Sequence, residues 1–170
     1  GRMCSFGEGI RMTPFQLAAL LAAFANGGTL YYLQYPRSEQ ELLHFVPRVK
    51  RRLAIETWLS KLEEGLRGAT TYGTAQRVRY VYPELVLGKT GTCTDYEKRA
   101  HMGWFGCYNG TGKTRLAVVV MLVGGAAVNG PVASGVAARF FRNLYEVGYL
   151  EQELNYSPVA LRFMRGCCTE

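Results

Sequence analysis

The sequence predicts an α+β fold, an antiparallel sheet packed against helices. Three observations lead there. Three β-rich apolar runs between Glu84 and Gly125 are joined by short polar turns. A capped apolar segment near the start, and two later segments with apolar residues at helical spacing, supply the helices. The chain has 170 residues, 48% hydrophobic and 19% charged, which is the length and profile of one globular domain with a proper core.

The first element is set by Thr13-Pro14-Phe15-Gln16. Thr13 is the cap, Pro14 fits the first turn, and Gln16 can reach back as in a capping box. The run continues to Asn26, and Gly27-Gly28 ends it. Phe15, Leu17, Leu20, Leu21 and Phe24 surround this helix, which predicts burial on nearly all sides. Next, "TLYYLQY" and "LLHFVPRV" read as short strands around a polar turn at Arg37–Glu41, with Pro47 favouring an edge. A second helix is predicted from about Ile55 to Ala69. Ile55, Trp58, Leu59, Leu62 and Leu66 form its inner side, with Lys61, Glu63 and Glu64 outside. "ATTYGTAQ" reads as a loop. The three strands follow, Glu84–Thr94, His101–Tyr108 and Arg115–Val123, joined by "DYEKRA" and "NGTGK" as an antiparallel meander. A last helix begins near Pro131. Val132, Ala133, Val136, Ala137, Phe140, Phe141 and Leu144 are its apolar face, and Gly148 lies near its end. The expected division is 1–150 as folded domain and 151–170 as an unassigned tail.

Composition narrows the function classes. No run approaches the roughly 18 apolar residues of a membrane span. The opening "GRMCSFGEGI" has neither an initiating methionine nor the pattern of a secretory leader, as expected of a piece of something longer. Net charge is +7, with basic residues at Arg48, Lys50, Arg51, Arg52, Arg77, Arg79, Lys98 and Arg99. That balance favours an anionic partner, or is dispersed surface charge. No recognition helix or aromatic-basic RNA motif supports a nucleic-acid partner. The five cysteines, Cys4, Cys93, Cys107, Cys167 and Cys168, form no C-x-x-C pair, and only His44 and His101 could join them. Neither a zinc site nor a disulfide-stapled domain is expected, and no cofactor.

"GKT" occurs twice, in "VLGKTGTCTD" and in "NGTGKTRLAV". The second copy fails as a phosphate loop. The first glycine of G-x-x-x-x-G-K-[ST] would fall at Cys107, and an apolar β-rich run follows where a helix is needed. It reads as a hairpin turn, its glycines supplying positive φ. The first copy lies on a strand. There Lys89 and Gly91 share one face and Thr90 and Thr92 the other. A lysine and hydroxyls beside a bare glycine suit a peptide-like ligand with a terminal carboxylate.

K-T-G on a strand is also the third motif of penicillin-binding proteins and serine β-lactamases. The linked blocks around it resemble the C-terminal half of a penicillin-binding transpeptidase domain. They are "GEGIRMTPFQLAALLAAFANGGTL", "LEEGLRGATTYGTAQ" with its Gly-Thr-Ala, "GKTGT", "GWFGCY", "RLAVVVMLV" and the closing helix. The resemblance implies a β-lactamase/transpeptidase-like fold, present as a partial domain. It implies substrate binding by Lys89, Thr90, Gly91 and Thr92. Lys89, Thr90 and Thr92 hold the carboxylate of a D-Ala-D-Ala peptide or a β-lactam. The Thr92 backbone N–H serves the oxyanion hole, and Gly91 leaves room for the acyl donor.

The same resemblance exposes a departure. Three residues after Ser5, Ser38, Ser60, Ser134 and Ser157 stand Glu8, Glu41, Glu63, Ala137 and Ala160, so the nucleophile motif S-x-x-K is absent. Two residues after them stand Gly7, Gln40, Leu62, Val136 and Val159, so S-x-N is absent too. The expected partners are the peptidoglycan stem peptide, β-lactams and the missing N-terminal half of the domain. The expected location is the extracytoplasmic face of the bacterial membrane, reached only through a segment outside this chain. The implied activity is that of a serine D,D-transpeptidase, inactive as this fragment alone. The alternatives are a non-catalytic sensor or scaffold of the same fold, or a serine β-lactamase relative.

Overall fold

The structure is a computed structural model that describes Gly1 and residues 9–81, 85–95, 100–111 and 114–151. The elements run α1 (Pro14–Ala25), β1 (Thr29–Tyr31), α2 (Glu39–Leu43), β2 (Val49–Arg52), α3 (Glu56–Thr71), α4 (Arg77–Val81), β3 (Val86–Asp95), β4 (Ala100–Asn109), β5 (Ala117–Gly124) and α5 (Gly130–Glu146), closed by a 3-10 turn at Tyr149–Glu151. The predicted meander is present. β3, β4 and β5 are antiparallel neighbours in that order, in register from Val86↔Asn109 to Asp95↔Ala100. A strand follows the "NGTGK" segment, as expected of a turn and not of a phosphate loop; Gly112 and Lys113 themselves lie outside the described residues. Gly110 does not take the positive φ expected of a turn glycine. Its N–H instead donates to the Leu85 carbonyl, continuing the β3–β4 ladder.

Alternation sorts the sheet residues to two faces. Val86, Phe105, Cys107 and the β5 residues Val118, Val120 and Leu122 face α5 and α4, where Ala133, Ala137 and Phe141 complete the larger core. Leu87, Tyr108 and Val119 face the other way, onto Leu21 of α1 and Leu66 of α3. The sheet therefore has α1 and α3 on one face and α5 on the other. Close approach of α1 requires Gly106, where a Cβ would lie 2.9 Å from Leu21 Cδ1. On the other face the α5 N-terminus comes so near that a Cβ on Gly103 would lie 2.3 Å from the Asn129 carbonyl oxygen.

Helix starts follow the capping chemistry. Thr13 accepts from the Gln16 N–H and Gln16 accepts from the Thr13 N–H, the full capping box. Asn129 caps α5 by accepting from Val132 N–H, with Pro131 in the first turn. Gly148, at φ 70, follows the α5 C-cap Val147.

Several expectations are corrected. "LLH" is not strand: Ser38 accepts from the Glu41 N–H and starts α2, so a side-chain cap overrides the apolar content of Leu42-Leu43. Pro47 stands just before β2 rather than within a strand. "ATTYGTAQ" is helical at its start, since α3 continues to Thr71, and the short α4 follows it. α1 is not covered on all sides. The sheet buries Leu21 and Ala23, while Phe15 is 72% exposed because no described element packs on its outer side. Trp58 is likewise exposed on α3, with the Lys61 ammonium 5.5 Å from its ring centre. Glu63 is half-buried against the sheet instead of outside. On α5, Phe140 turns outward, and Ser134 and Ala138 take places in the buried face. The expected tail at 151–170 lies outside the described residues beyond Glu151.

Candidate functional site

Among the described residues β3 is an edge strand, with β4 on one side only. Its open side matters because an edge offers unpaired backbone groups to a ligand. Which residues offer them follows from two hydrogen bonds. The Asn109 N–H donates to Leu116 on the β5 side, so Asn109 does not face β3. Its register partner Val86 correspondingly turns its carbonyl outward, where the Thr70 hydroxyl of α3 donates to it at 2.8 Å. The two-residue period then brings the N–H and C=O of Gly88, Thr90 and Thr92 to the same open edge.

The side chains alternate as the sequence predicts. Lys89 and Gly91 face α1 and α3. They line an open groove of about 620 Å³ whose wall is largely apolar: Leu17, Leu21, Phe24, Leu62, Leu66 and Trp104, with Lys61 at its border. A Cβ on Gly91 would meet nothing closer than Trp104 Cβ, at 3.5 Å, so the glycine leaves a bare place in the wall. The Lys89 ammonium bends back and donates to the Thr90 carbonyl at 2.9 Å.

The two threonines are held from the opposite side. Thr90 is 9% exposed, and its hydroxyl shares a hydrogen bond of 2.5 Å with that of Thr74. The Thr92 hydroxyl accepts from the Gly130 N–H, at the first turn of α5, at 3.0 Å. A hydroxyl that accepts keeps its own proton free to donate, so Thr92 can still serve a ligand oxygen. Gly130 is needed for this approach, because a Cβ there would lie 2.6 Å from Thr90 Cβ. The four predicted site residues thus stand together on one edge strand. Thr74, Trp104 and Gly130 join them, while Thr70 contacts the strand earlier, at Val86; Thr74 lay in Gly-Thr-Ala and Trp104 in "GWFGCY", whereas Gly130 had no sequence signal.

No group of three or more His, Cys, Asp or Glu residues among those described could hold a metal. Burial pushes the Cys107 thiol well above its ordinary range, which makes it inert. Tyr108 is pushed up to about 12 by burial and then by the negative charge of Glu63. The buried Tyr108 hydroxyl has no hydrogen-bond partner among the described residues. No described helix is long and apolar enough to cross a membrane.

Comparison with known proteins bears on the family and the fold. The family model for the penicillin binding protein transpeptidase domain matches residues 1–146. Stage V sporulation protein D of Bacillus subtilis (strain 168) is 31% identical over 94 residues, which is 52% of this chain and 14% of that protein. Among solved structures, Pseudomonas aeruginosa PBP2 in complex with WCK 5153 matches with TM-score 0.60 and 22% identity, over 84% of this chain and 32% of that one. PBP2 in its complex with MreC from Helicobacter pylori gives TM-score 0.63 and 18% identity, over 88% and 30%. At such identities these two show a shared fold. A peptidoglycan synthase complex described as coordinating polymerization and crosslinking gives TM-score 0.60 and 26% identity, over 84% and 24%. The chain therefore spans about a seventh of the curated relative, and about a quarter to a third of the solved chains.

Proposed function

Because this chain belongs to the penicillin-binding protein transpeptidase domain family, we propose that it is the ligand-binding wall of a serine D,D-transpeptidase that cross-links peptidoglycan. The wall lies within residues 1–150, with 151–170 left as an unassigned C-terminal tail. Lys89, Thr90 and Thr92 hold the terminal carboxylate of a D-Ala-D-Ala stem peptide or of a β-lactam. The Thr92 N–H donates to the oxyanion formed when the acyl carbonyl is attacked, and Gly91 leaves space for the acyl donor. The attacking serine and its lysine belong to sequence outside this chain, since no S-x-x-K occurs in it. The longer protein works on the extracytoplasmic face of the bacterial membrane.

One observation carries this reading. K-T-G lies on an open edge strand, with Lys89 and Gly91 facing a groove and the Thr92 backbone turned to the free edge. An extended peptide can add along that edge, its carboxylate meeting the lysine charge. The apolar wall strengthens this contact by excluding water.

The test is the second-order acylation rate with one fluorescent penicillin in the longer protein. A charge-assisted contact contributes roughly 1.5–3 kcal/mol. Lys89→Ala should slow acylation by about one to two orders of magnitude, at ~1.4 kcal/mol per tenfold. Lys113→Ala, in the other Gly-Lys-Thr, should change it little. Equal effects would remove β3 as the binding strand. The 170-residue chain alone should form no adduct that survives denaturation.

A further inference from the structure

Gly-Thr-Ala at Gly73–Ala75 has a physical explanation residue by residue. A Cβ on Gly73 would lie 2.8 Å from Ala69 Cα, so the chain can fold back over the end of α3 only with glycine there. Ala75 is fully buried, with its N–H donating to the Ala69 carbonyl. Between them Thr74 is exposed, and its hydroxyl meets that of Thr90. Four residues earlier Thr70 donates to the Val86 carbonyl. Both pairs are sixteen residues apart, so segment 70–74 runs along the open edge of β3 and touches it twice. The first contact is with a backbone carbonyl at the start of the strand. The second is with the motif hydroxyl itself.

We propose that Thr74 is a positioning residue for the ligand-binding strand: its hydroxyl donates to Thr90 Oγ1, fixes the Thr90 side chain along the open edge, and leaves the Thr90 proton to donate to the ligand carboxylate. The proposal rests on the function proposed above. Its chemistry is proton direction. A threonine hydroxyl has one hydrogen, and it can serve a carboxylate only if its other neighbour is a donor. Carboxylates only accept, so the order Thr74 to Thr90 to carboxylate is the one that satisfies every group. On the far side the Gly130 N–H does the same for Thr92, accepting nothing and leaving that hydroxyl's proton free. Both hydroxyls of the motif are thereby oriented as donors before a ligand arrives, which lowers the cost of binding.

The experiment compares acylation of the longer protein by benzylpenicillin and by its methyl ester, whose carboxyl carries no charge. The proteins are wild type, Thr74→Val, Thr74→Ser, Thr90→Val, the Thr74→Val/Thr90→Val double variant, and Thr70→Val as a variant that removes a similar bond away from the motif. Thr74→Val should slow the acid about threefold to tenfold and the ester less than twofold. Thr74→Ser should restore the acid rate to within about twofold of wild type. In the Thr90→Val background Thr74→Val should add nothing. Thr70→Val should lower the melting temperature with no discrimination between acid and ester. Equal slowing of acid and ester by Thr74→Val, or no slowing, overturns the positioning role. A wild-type protein that reacts with neither ligand overturns the function reading, and the carboxylate role of Thr90 falls with it. The melting temperatures of the two single variants and the double variant then decide the bond itself, and additive shifts at positions 74 and 90 overturn it.

Discussion

Gly91→Ala should separate what the protein tolerates from what the ligand tolerates. The backbone at Gly91 is not in the left-handed region, and an added Cβ would meet only Trp104 Cβ, at an ordinary contact distance of 3.5 Å. The fold therefore has room for the methyl group. Alanine at a compatible site also restricts the unfolded chain, so stability should rise by about 0.4–1 kcal/mol. The ligand has no such room if it lies against the bare place that Gly91 makes in the groove. Forcing one extra methyl group into a filled contact costs typically ~1–3 kcal/mol. At ~1.4 kcal/mol per tenfold, the acylation rate should fall roughly fivefold to 150-fold. The assay pairs thermal melting with second-order acylation by a penicillin in the longer protein. The expected result is an equal or slightly higher melting temperature together with slower acylation. Unchanged acylation would mean that the ligand does not pass Gly91. A melting temperature several degrees lower would mean that the space beside Gly91 is not open.

Other substitutions test other parts of the structure. Gly103→Ala should destabilise by about 2–4 kcal/mol, seen as a lower urea midpoint, because its Cβ would meet Asn129 backbone atoms at 2.3–2.4 Å and force the α5 cap to move. An unchanged midpoint would remove the close packing of α5 on β4. Tyr108, with a folded pKa near 12, contributes stability that is fully present below its unfolded value of about 10. That contribution is lost as pH rises toward 12, and melting curves of Tyr108→Phe should lack this component of the alkaline fall. Iodoacetamide under native conditions should label the exposed Cys93 and spare the buried Cys107 until urea unfolds the chain, as read by peptide mass spectrometry.

Local chemistry made much of this molecule legible from its sequence. The α1 boundary follows from four residues, Thr13 to Gln16, whose hydrogen bonds all close within one turn. The meander follows from turns too short to allow anything but antiparallel return. The likeness of Lys89–Thr92 to a ligand-binding strand rests on a three-residue motif and the blocks around it. What stayed hidden depends on contacts distant in sequence. Glu63 has the right residue type and position for an exposed helix face, yet α3 lies along β3 and turns it toward Tyr108. Phe140 turns outward while its neighbour Phe141 takes the core, a choice between adjacent aromatics that only the packing of α5 makes. Ser38 shows a smaller failure: its cap is a local signal, but the apolar residues after it suggested a strand. Thr70 and Thr74 are ordinary loop-type threonines until β3 is placed beside them.

The contact between Thr70 and Val86 also limits how β3 can associate with other chains. An exposed strand edge is a template for endless pairing, and proteins that need one open face the hazard of sticking to their own copies. Here the Val86 carbonyl is already taken by the Thr70 hydroxyl and the Thr90 carbonyl by Lys89. Segment 70–74 lies along β3 from Val86 to Thr90, so the free length of edge runs from Thr90 to the strand end at Asp95, about 17 Å at ~3.4 Å per residue. A short peptide end fits that span, whereas a strand pairing along the whole of β3 would meet segment 70–74. Segment 70–74 thus acts as a ruler: it admits the end of a peptide and shortens the edge that another sheet could use.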